Sequence, residues 1–330
     1  MRVWTADGAL DGFEVTTIDL PPEDDGVLVA TLVRQVREDV SRLAVLYVHG
    51  FIDYFFQSHV AEAFAERGWD FYALDLRRYG RSLRAKNRPN YCADLAEYDE
   101  ELSAAIRIVR EEEGHETVVL LGHSTGGLIA SWYLHRREAL GRSAGDVQGL
   151  MLNSPFFDFA VPVPRRYLLP IISTIGAVLP KLFDPNAISA YYGRSLLWEH
   201  HGEWSYDQRW KPIKGFPAYF GWVHAVRVAQ HAVTRGLQIR CPVLLQHAGR
   251  SMVARGGWKD DYLSADIVLD VAHMQALGPT LGANVTLNSI DGGIHDLYLS
   301  REPVRTLALD TALEWLETHV TSPHAHGTVS

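Results

Sequence analysis

Apolar residues in the first half of the chain gather into short runs of strand length. Four of these runs are almost continuously apolar, and they occupy residues 43–50, 69–77, 117–124 and 147–155. Continuous apolar character is typical of parallel strands that are covered on both faces. Two further β-rich runs, 13–21 and 26–35, are joined by an acidic segment that contains proline, and they predict a hairpin.

Helical patterns lie between the strand-like runs. Apolar residues at three- and four-residue steps predict a helix near 90–113, and they are Leu95, Tyr98, Leu102, Ile106 and Val109. A second helix is expected directly after residue 124, ending near residue 140. Later the alternation resumes with a strand at 241–249, a helix near 271–281, a strand at 284–292 and a last helix near 303–320. The pattern predicts an α/β protein with a mostly parallel eight-stranded sheet and helices on both of its faces.

The alternation is interrupted between residues 160 and 238. This stretch is rich in proline and in aromatic residues, among them Trp198, Trp204, Trp210 and Trp222. Because the interruption follows the sixth predicted strand, it has the position of a lid over the ends of the strands. We therefore predict a core formed by 1–159 and 239–322, a lid at 160–238 and a disordered polar tail at 323–330.

Composition and charge narrow the function classes. The chain has 330 residues, enough for one large domain or two small ones. With 31 basic against 40 acidic residues, its formal net charge of -9 argues against a nucleic-acid partner. The two cysteines, Cys92 and Cys241, form no disulfide framework, so a reducing compartment fits. The first residues lack a basic segment followed by an apolar run, so we expect no signal peptide and a cytoplasmic location.

The segment Gly122-His123-Ser124-Thr125-Gly126 matches the pattern G-x-S-x-G. It follows a predicted strand and precedes a predicted helix, which is the context of a nucleophile elbow. Glycine is required two residues before and after the serine because a side chain there would collide with neighbouring backbone. The serine hydroxyl would then lie at a helix N-terminus, where N–H groups favour negative charge. The alternatives are a passive serine in a Gly-rich turn and a phosphate loop, although no lysine follows as that loop requires.

Five segments carry a family resemblance. In chain order, LYVHGF, ALDLRRYGRS, LLGHSTGG, PVLLQHAG and SIDGGIHD resemble motifs of the α/β-hydrolase superfamily. More narrowly, the chain is similar to the monoacylglycerol lipase and lysophospholipase group, which is related to serine aminopeptidases. Together with the sheet pattern, the resemblance covers residues 27–320. It implies the α/β-hydrolase fold with a lid after strand six, although the elbow and the His-Gly motif are specific for the superfamily and not for a substrate.

The resemblance implies a catalytic histidine just past the last strand, and His295 occupies that place. A serine needs such a base within hydrogen-bond reach to act as a nucleophile. Other histidines compete, but each is better explained otherwise. His49 would brace its loop, His123 would point away from the neighbouring hydroxyl, His247 lies in a strand, and His273 lies on a helix.

The acid of the triad departs from the family pattern. In the superfamily it usually follows the seventh strand directly, but the segment after QHAG has no acidic residue at that place. The segment SADIVLD resembles the family pattern G-x-x-D-x-V, which favours Asp266 and makes 250–263 an extra loop. The alternatives are Asp270, which also fits a helix N-cap, and the carboxylates Asp260, Asp261 and Asp158.

An oxyanion hole needs two preorganised N–H donors. One is the backbone N–H of Thr125, directly after the nucleophile, and the resemblance assigns the other to Phe51. We predict that the substrate site also includes His49, His123, Phe156 and Trp222. The arginines of DLRRYGRS, Arg77, Arg78 and Arg81, fit structural salt bridges better than an anionic substrate.

The predicted lid bears on substrate and partners. Its aromatic and aliphatic residues suit an acyl chain, although packing of the lid onto the core explains them equally well. The apolar stretch 167–183 is too short to span a membrane and is interrupted by Pro170 and Pro180. A transient contact of the lid with a membrane surface is therefore an open alternative.

These observations predict a serine hydrolase that cleaves carboxylic esters through an acyl-enzyme. By resemblance, lipid-like monoesters of the monoacylglycerol or lysophospholipid type are the expected small-molecule substrates. No metal or organic cofactor is expected, and the oligomeric state is left open. The alternatives are an acyltransferase or thioesterase on the same site, and a non-catalytic ligand-binding relative. Dehalogenases and epoxide hydrolases would need an aspartate in place of Ser124.

Overall fold

A nine-stranded sheet forms the centre of the computed structural model, which describes residues 2–141, 145–160, 167–185 and 189–321. In chain order its strands are β1 (Thr5–Ala6), β2 (Phe13–Glu23), β3 (Gly26–Gln35), β4 (Leu43–Val48), β5 (Asp70–Asp75), β6 (Thr117–His123), β7 (Gly149–Asn153), β10 (Val243–Ala248) and β11 (Val285–Ile290). Strands β8 (Phe183–Asp184) and β9 (Ala218–Tyr219) form a separate antiparallel pair.

The strand order of the central sheet is β1-β2-β3-β5-β4-β6-β7-β10-β11. Strands β2 and β3 form the predicted antiparallel hairpin, and β3 pairs antiparallel with β5. From β5 to β11 all neighbouring strands are parallel. The eight predicted strands are present, and the two-residue β1 extends the sheet at its antiparallel edge. A strand of two exposed residues is too short to leave a hydrophobic pattern in the sequence.

Eight α-helices lie within the described residues. They are α1 (Ser58–Glu66), α2 (Asp99–Arg107), α3 (Thr125–Ala139), α4 (Leu169–Val178), α5 (Ala190–Leu196), α6 (Phe220–Arg235), α7 (Val271–Leu277) and α8 (Val304–Leu316). The helix predicted near 90–113 is divided, because a 3₁₀ turn precedes α2 and a π-helical turn follows it. Helix α1 was not predicted, although Val60, Ala61 and Phe64 give it a buried face.

The sheet is covered on both faces, which explains its continuous apolar runs. Successive residues of β4 enter two different cores, with Leu46 in one and Tyr47 in the other. The core around Leu46 is completed by α2, α3 and α6, and the core around Tyr47 by α1 and α8. Because neither face of a central strand such as β4 meets water, polar alternation there would be costly, and burial of both faces stabilises the sheet.

The described residues between β7 and β10 include helices α4, α5 and α6, and they lie in the segment 160–238 that the sequence predicts to be an insertion. Its helices α4 and α6 pack together so closely that a Cβ on Gly176 would lie 2.6 Å from the Phe220 carbonyl carbon. The Ser173 hydroxyl and His224 Nδ1 share a hydrogen bond of 3.2 Å across the same contact. The role of this insertion as a lid stays a prediction. The described part leaves out residues 161–166, 186–188 and the tail 323–330. Within that part, no helix combines the length and apolar character that crossing a membrane requires.

Candidate active site

Ser124 lies in a sharp turn between β6 and α3. Its backbone has φ 52° and ψ −118°, a region that non-glycine residues adopt at a cost. The flanking glycines make the turn possible, since a Cβ on Gly122 would lie 2.6 Å from Gly127 Cα. A Cβ on Gly126 would lie 2.8 Å from the Val48 carbonyl carbon. The turn therefore has the geometry of a nucleophile elbow.

Ser124, His295 and Asp266 form one continuous chain of hydrogen bonds. His295 Nε2 lies 3.0 Å from Ser124 Oγ, and His295 Nδ1 lies 2.8 Å from Asp266 Oδ2. Because an ionised carboxylate only accepts, Nδ1–H donates to Asp266, which leaves Nε2 free to accept the serine proton. All three side chains are buried, and Ser124 is 8% exposed.

Asp266 reaches this position through a detour of the chain. After β10 the backbone pairs with the segment around Asp266, since Met252 N donates to Asp266 O and Asp266 N donates to Arg250 O. The residues between them leave the sheet and return, so the carboxylate is next to the end of β10 although it is distant in sequence. Asp266 Oδ1 accepts from the Val268 and Leu269 N–H groups, both at 2.8 Å, which fixes the other oxygen toward His295.

The other candidate acids have different surroundings. Asp270 is the N-cap of α7, as predicted, and accepts from Ala272 N at 3.1 Å. Asp158 faces His273 at 3.7 Å. Asp260 and Asp261 are exposed and contact Trp258 and Arg250 respectively. Of the five carboxylates, the structure brings Asp266 to His295.

Two backbone N–H groups lie in the segments next to Ser124. Thr125 is the first residue of α3, and Phe51 follows Gly50 in the loop after β4. This loop passes directly over the elbow, since a Cβ on Gly50 would lie 3.1 Å from Ser124 Cβ. Neither N–H has a hydrogen-bond acceptor among the described residues. Two unpaired donors beside a nucleophile are suited to bind a developing oxyanion.

Two histidines beside the elbow are engaged with the backbone. His49 Nε2 accepts from Leu76 N at 3.1 Å, so its Nδ1–H donates to Gly50 O at 2.8 Å. His123 Nδ1 lies 3.1 Å from Asn153 O, and its ring centroid lies 4.9 Å from that of His295. Burial lowers the pKa of both imidazoles. These bonds favour bracing of the loops, and a role of either residue in substrate binding stays a prediction.

Comparison with known proteins decides the family. A model of the family described as "Serine aminopeptidase, S33" matches residues 39–302, which is most of the chain. The chain belongs to the serine aminopeptidase S33 family. The predicted α/β-hydrolase fold and serine-hydrolase class are thereby confirmed.

Individual relatives of this S33-family hydrolase agree with that assignment. It is 24% identical over 297 residues to a monoacylglycerol lipase of Mycolicibacterium smegmatis, which covers 84% of the chain and 89% of the relative. Its fold is similar to a soluble variant of monoglyceride lipase from Saccharomyces cerevisiae in complex with a substrate analog, with a TM-score of 0.64, 14% identity and coverage of 98% and 96%. A monoacylglycerol lipase of Paleococcus ferrophilus matches with a TM-score of 0.61, 17% identity and coverage of 93% and 99%.

Aromatic rings form one side of the hydrolase's site. The rings of Phe51 and Trp222 are stacked with centroids 3.9 Å apart, and Phe156 is stacked on Trp222 at 6.2 Å. Phe156 N also donates to Ser124 O at 3.0 Å, which ties this wall to the elbow. The structure thus brings Trp222 and Phe156 to the neighbourhood of Ser124, while their contact with substrate stays a prediction.

Several residues near the site were missed by sequence reasoning. Asn153 at the end of β7 accepts from Ser124 N, and its side chain contacts Asp296. Tyr192 of the insertion packs edge-on against His295 at 5.4 Å. Lys211, also in the insertion, pairs with Asp53. The polar pairs NS and HD after the strands were a usable signal for Asn153 and Asp296, whereas nothing in the irregular insertion pointed to Tyr192 or Lys211.

The arginines of DLRRYGRS are paired with carboxylates. Arg77 contacts Glu100 and Glu101, Arg78 contacts Glu23 and Asp25, and Arg81 contacts Asp7 and Asp75. These pairs favour the structural interpretation over recognition of an anionic substrate. Within the described ranges, three carboxylates close enough to share a cation occur at Glu23, Asp24 and Asp25, and these already contact Arg78, Arg88 and Lys181.

Proposed function

We propose that this protein cleaves carboxylic esters through an acyl-enzyme on Ser124. The hydrogen-bonded chain from Ser124 through His295 to Asp266 carries this proposal. Ser124 Oγ attacks the ester carbonyl while His295 Nε2 accepts its proton, and Asp266 stabilises the imidazolium. His295 then donates that proton to the leaving alcohol. Water, deprotonated by His295, attacks the acyl-enzyme and releases the acid and Ser124.

The N–H groups of Phe51 and Thr125 are the proposed oxyanion hole. Negative charge develops on the former carbonyl oxygen in the tetrahedral intermediate, and donors fixed in advance stabilise it without reorganisation. Each such donor lowers the barrier by about 3 kcal/mol. The absence of other acceptors for these two N–H groups in the described part supports this role.

Lipid-like monoesters, of the monoacylglycerol or lysophospholipid type, are the proposed substrates. The support is the similarity to monoacylglycerol lipases together with the aromatic wall of Phe51, Trp222 and Phe156. An acyl chain packed on these rings would be removed from water, which favours binding by about 25 cal/mol per Å² of apolar area.

The insertion would also contact a lipid surface. Eight apolar side chains of α4 and the residues that flank it are between 37% and 76% exposed, and they are Tyr167, Leu168, Ile171, Ile175, Val178, Leu179, Leu182 and Phe183. Exposed apolar patches of this kind mark interaction sites, here suited to the water-lipid boundary where such substrates reside. Replacement of Ile171 and Val178 by serine should weaken sedimentation of the protein with phosphatidylcholine vesicles.

Active-site labelling tests the proposed chemistry. A fluorophosphonate probe should label the wild-type protein at Ser124 and should leave Ser124→Ala unlabelled. Glyceryl and p-nitrophenyl esters of graded chain length then define the substrate, and added alcohols or thioesters distinguish hydrolysis from acyl transfer and thioester cleavage. A wild-type protein that neither reacts with the probe nor turns over any ester would favour the non-catalytic alternative, although Asp266 in contact with His295 argues against it.

A further inference from the structure

The loop that carries Phe51 is held by the insertion along its length. The tyrosine hydroxyl of Tyr54 accepts from Asp207 N at 2.7 Å, and the ring of Phe56 packs on Tyr206 at 5.1 Å. Phe51 itself is stacked on Trp222. Residues 51–56, the oxyanion loop, are thus fixed by residues that lie at least 150 positions later in the chain.

An ion pair buried beneath this contact joins the two segments. The Lys211 ammonium contacts Asp53 Oδ1, and the two side chains are 8% and 3% exposed. Burial alone would raise the pKa of Asp53, but the Lys211 charge, with smaller effects of nearby histidines, keeps it below its ordinary value. The ammonium also lies 5.2 to 5.9 Å from the ring centroids of Phe56, Tyr206 and Tyr192. A lysine so enclosed is held in one place.

The backbone between Phe51 and Asp53 is strained. Ile52 has φ 54°, which is a left-handed conformation that a β-branched side chain strongly disfavours. Such strain persists only where the surroundings enforce it. The anchors on either side of Ile52 are the stack of Phe51 on Trp222 and the ion pair of Asp53 with Lys211. Without the second anchor, the loop would be free to relax and to turn the Phe51 N–H away.

We infer that Lys211 is a positioning residue, which acts through Asp53 to keep the strained oxyanion loop in place and the Phe51 N–H directed at the reacting carbonyl. This inference rests on the proposed ester hydrolysis and extends it. The insertion therefore serves the chemical step itself, in addition to any part in substrate choice.

The experiment compares substrate binding with binding of the charged intermediate. In Lys211→Met we expect kcat for a p-nitrophenyl ester to fall on the order of tenfold to a hundredfold with KM nearly unchanged. The reason is that the Phe51 N–H stabilises the charge that develops in the transition state and contributes little to binding of the uncharged substrate. The affinity for a trifluoromethyl ketone, whose adduct carries an oxyanion, should fall by a similar factor. Lys211→Arg, which keeps the charge, should recover part of both. Lys214→Met removes an exposed lysine from the same segment and is the matched control.

The double variant Asp53→Asn with Lys211→Met guards against misfolding. Removing Lys211 alone leaves a buried carboxylate unpaired, which can unfold a protein, whereas the double variant leaves no buried charge at this place. We expect it to unfold cooperatively near the wild-type temperature and still to show the lowered kcat and inhibitor affinity. A folded double variant with wild-type values of both would overturn the inference. Failure of the proposed function is a different result, in which the wild-type protein itself has no esterase activity.

Discussion

The side-chain amide of Asn153 donates a hydrogen bond of 2.7 Å to Asp296 Oδ1, directly beside the proposed catalytic base. Asn153 Oδ1 also accepts from Leu297 N, and Asn153 O accepts from Ser124 N at 3.0 Å. One residue at the end of β7 therefore contacts both the turn that carries Ser124 and the loop that carries His295. The other oxygen of Asp296, Oδ2, accepts a hydrogen bond of 3.2 Å from Gln57 Nε2.

Asn153→Asp should disrupt this connection. The change removes a donor from a buried carboxylate and adds a second carboxylate beside it, so we expect a loss of about 3 kcal/mol or more in the free energy of unfolding. Ester turnover should fall as well, since Ser124 and His295 lose their common support. Urea unfolding and kcat measure the two effects. Adding Asp296→Asn again leaves one amide donor facing one carboxylate, so stability and kcat should recover in part. A double variant that is less stable or less active than Asn153→Asp would count against the interpretation.

Gly126→Ala tests the steric requirement of the elbow. An added Cβ would lie 2.8 Å from the Val48 carbonyl carbon, and the backbone there cannot yield without separating α3 from β4. We expect a loss of about 3 kcal/mol or more, or failure to fold, because overpacking against backbone has no cheap relief. Gly8→Ala is the matched control, since nothing lies within 4 Å of its added Cβ. The test is the thermal unfolding temperature of the two variants. Equal unfolding temperatures would contradict the prediction.

Asp266→Asn and Asp270→Asn separate the proposed acid from its neighbour. Loss of the carboxylate that orients His295 should lower kcat by roughly 10⁴-fold with the fold intact. Asp270 caps α7, and asparagine is an equally good N-cap, so its replacement should leave kcat close to the wild-type value. Steady-state kinetics on a p-nitrophenyl ester, with circular dichroism as the check on folding, provide the comparison. A larger effect at Asp270 would shift the assignment of the acid.

Buried histidines predict that stability falls in mild acid. His115 Nε2 bonds to the Tyr72 hydroxyl at 2.8 Å, Nδ1 bonds to Ser41 O at 2.7 Å, and burial lowers the pKa of the imidazole. The unfolded chain, with a histidine pKa of about 6.5, then binds more protons than the folded one as the pH falls. The contribution to stability is complete above that pKa and is lost as the pH falls through the lower folded pKa. The pKa of His49, His59 and His123 is lowered by burial as well.

Urea unfolding at pH 7.5 and pH 5.5 measures this dependence. The midpoint should be lower at pH 5.5, and His115→Gln should reduce the difference between the two pH values even though it lowers both midpoints. His200→Gln removes an exposed histidine and should leave the difference as it is. An undiminished pH dependence in His115→Gln would mean that other groups account for it.

Local rules explain what could be predicted. Burial on both faces makes the parallel strands continuously apolar, so β4, β6 and β10 were found with errors of only a few residues at their ends. The elbow at Ser124 is a short motif whose steric reason lies within five residues. His295 required the family resemblance, because a histidine on a Gly-rich loop has no local signature of its own.

Contacts between distant segments are harder to predict than local structure. The residues after QHAG contain no acid at the expected place, so the sequence favoured Asp266 by resemblance but left four other carboxylates as alternatives. Because the chain returns to pair with residues 250–252, Asp266 is the one of the five that lies against His295. Likewise, Lys211 and Asp53 are 158 positions apart, and their pairing depends on how an irregular insertion folds over the sheet.

The α/β architecture, the sharp turn at Ser124 and the chain order of the candidate groups could be predicted from the sequence, because periodicity and steric limits act over a few neighbouring residues. Packing between distant segments determines which carboxylate contacts His295, how the rings of Phe51 and Trp222 stack, and what holds the oxyanion loop. Those choices depend on distances between segments, which are set by packing of the whole chain and leave no pattern in any one stretch of it.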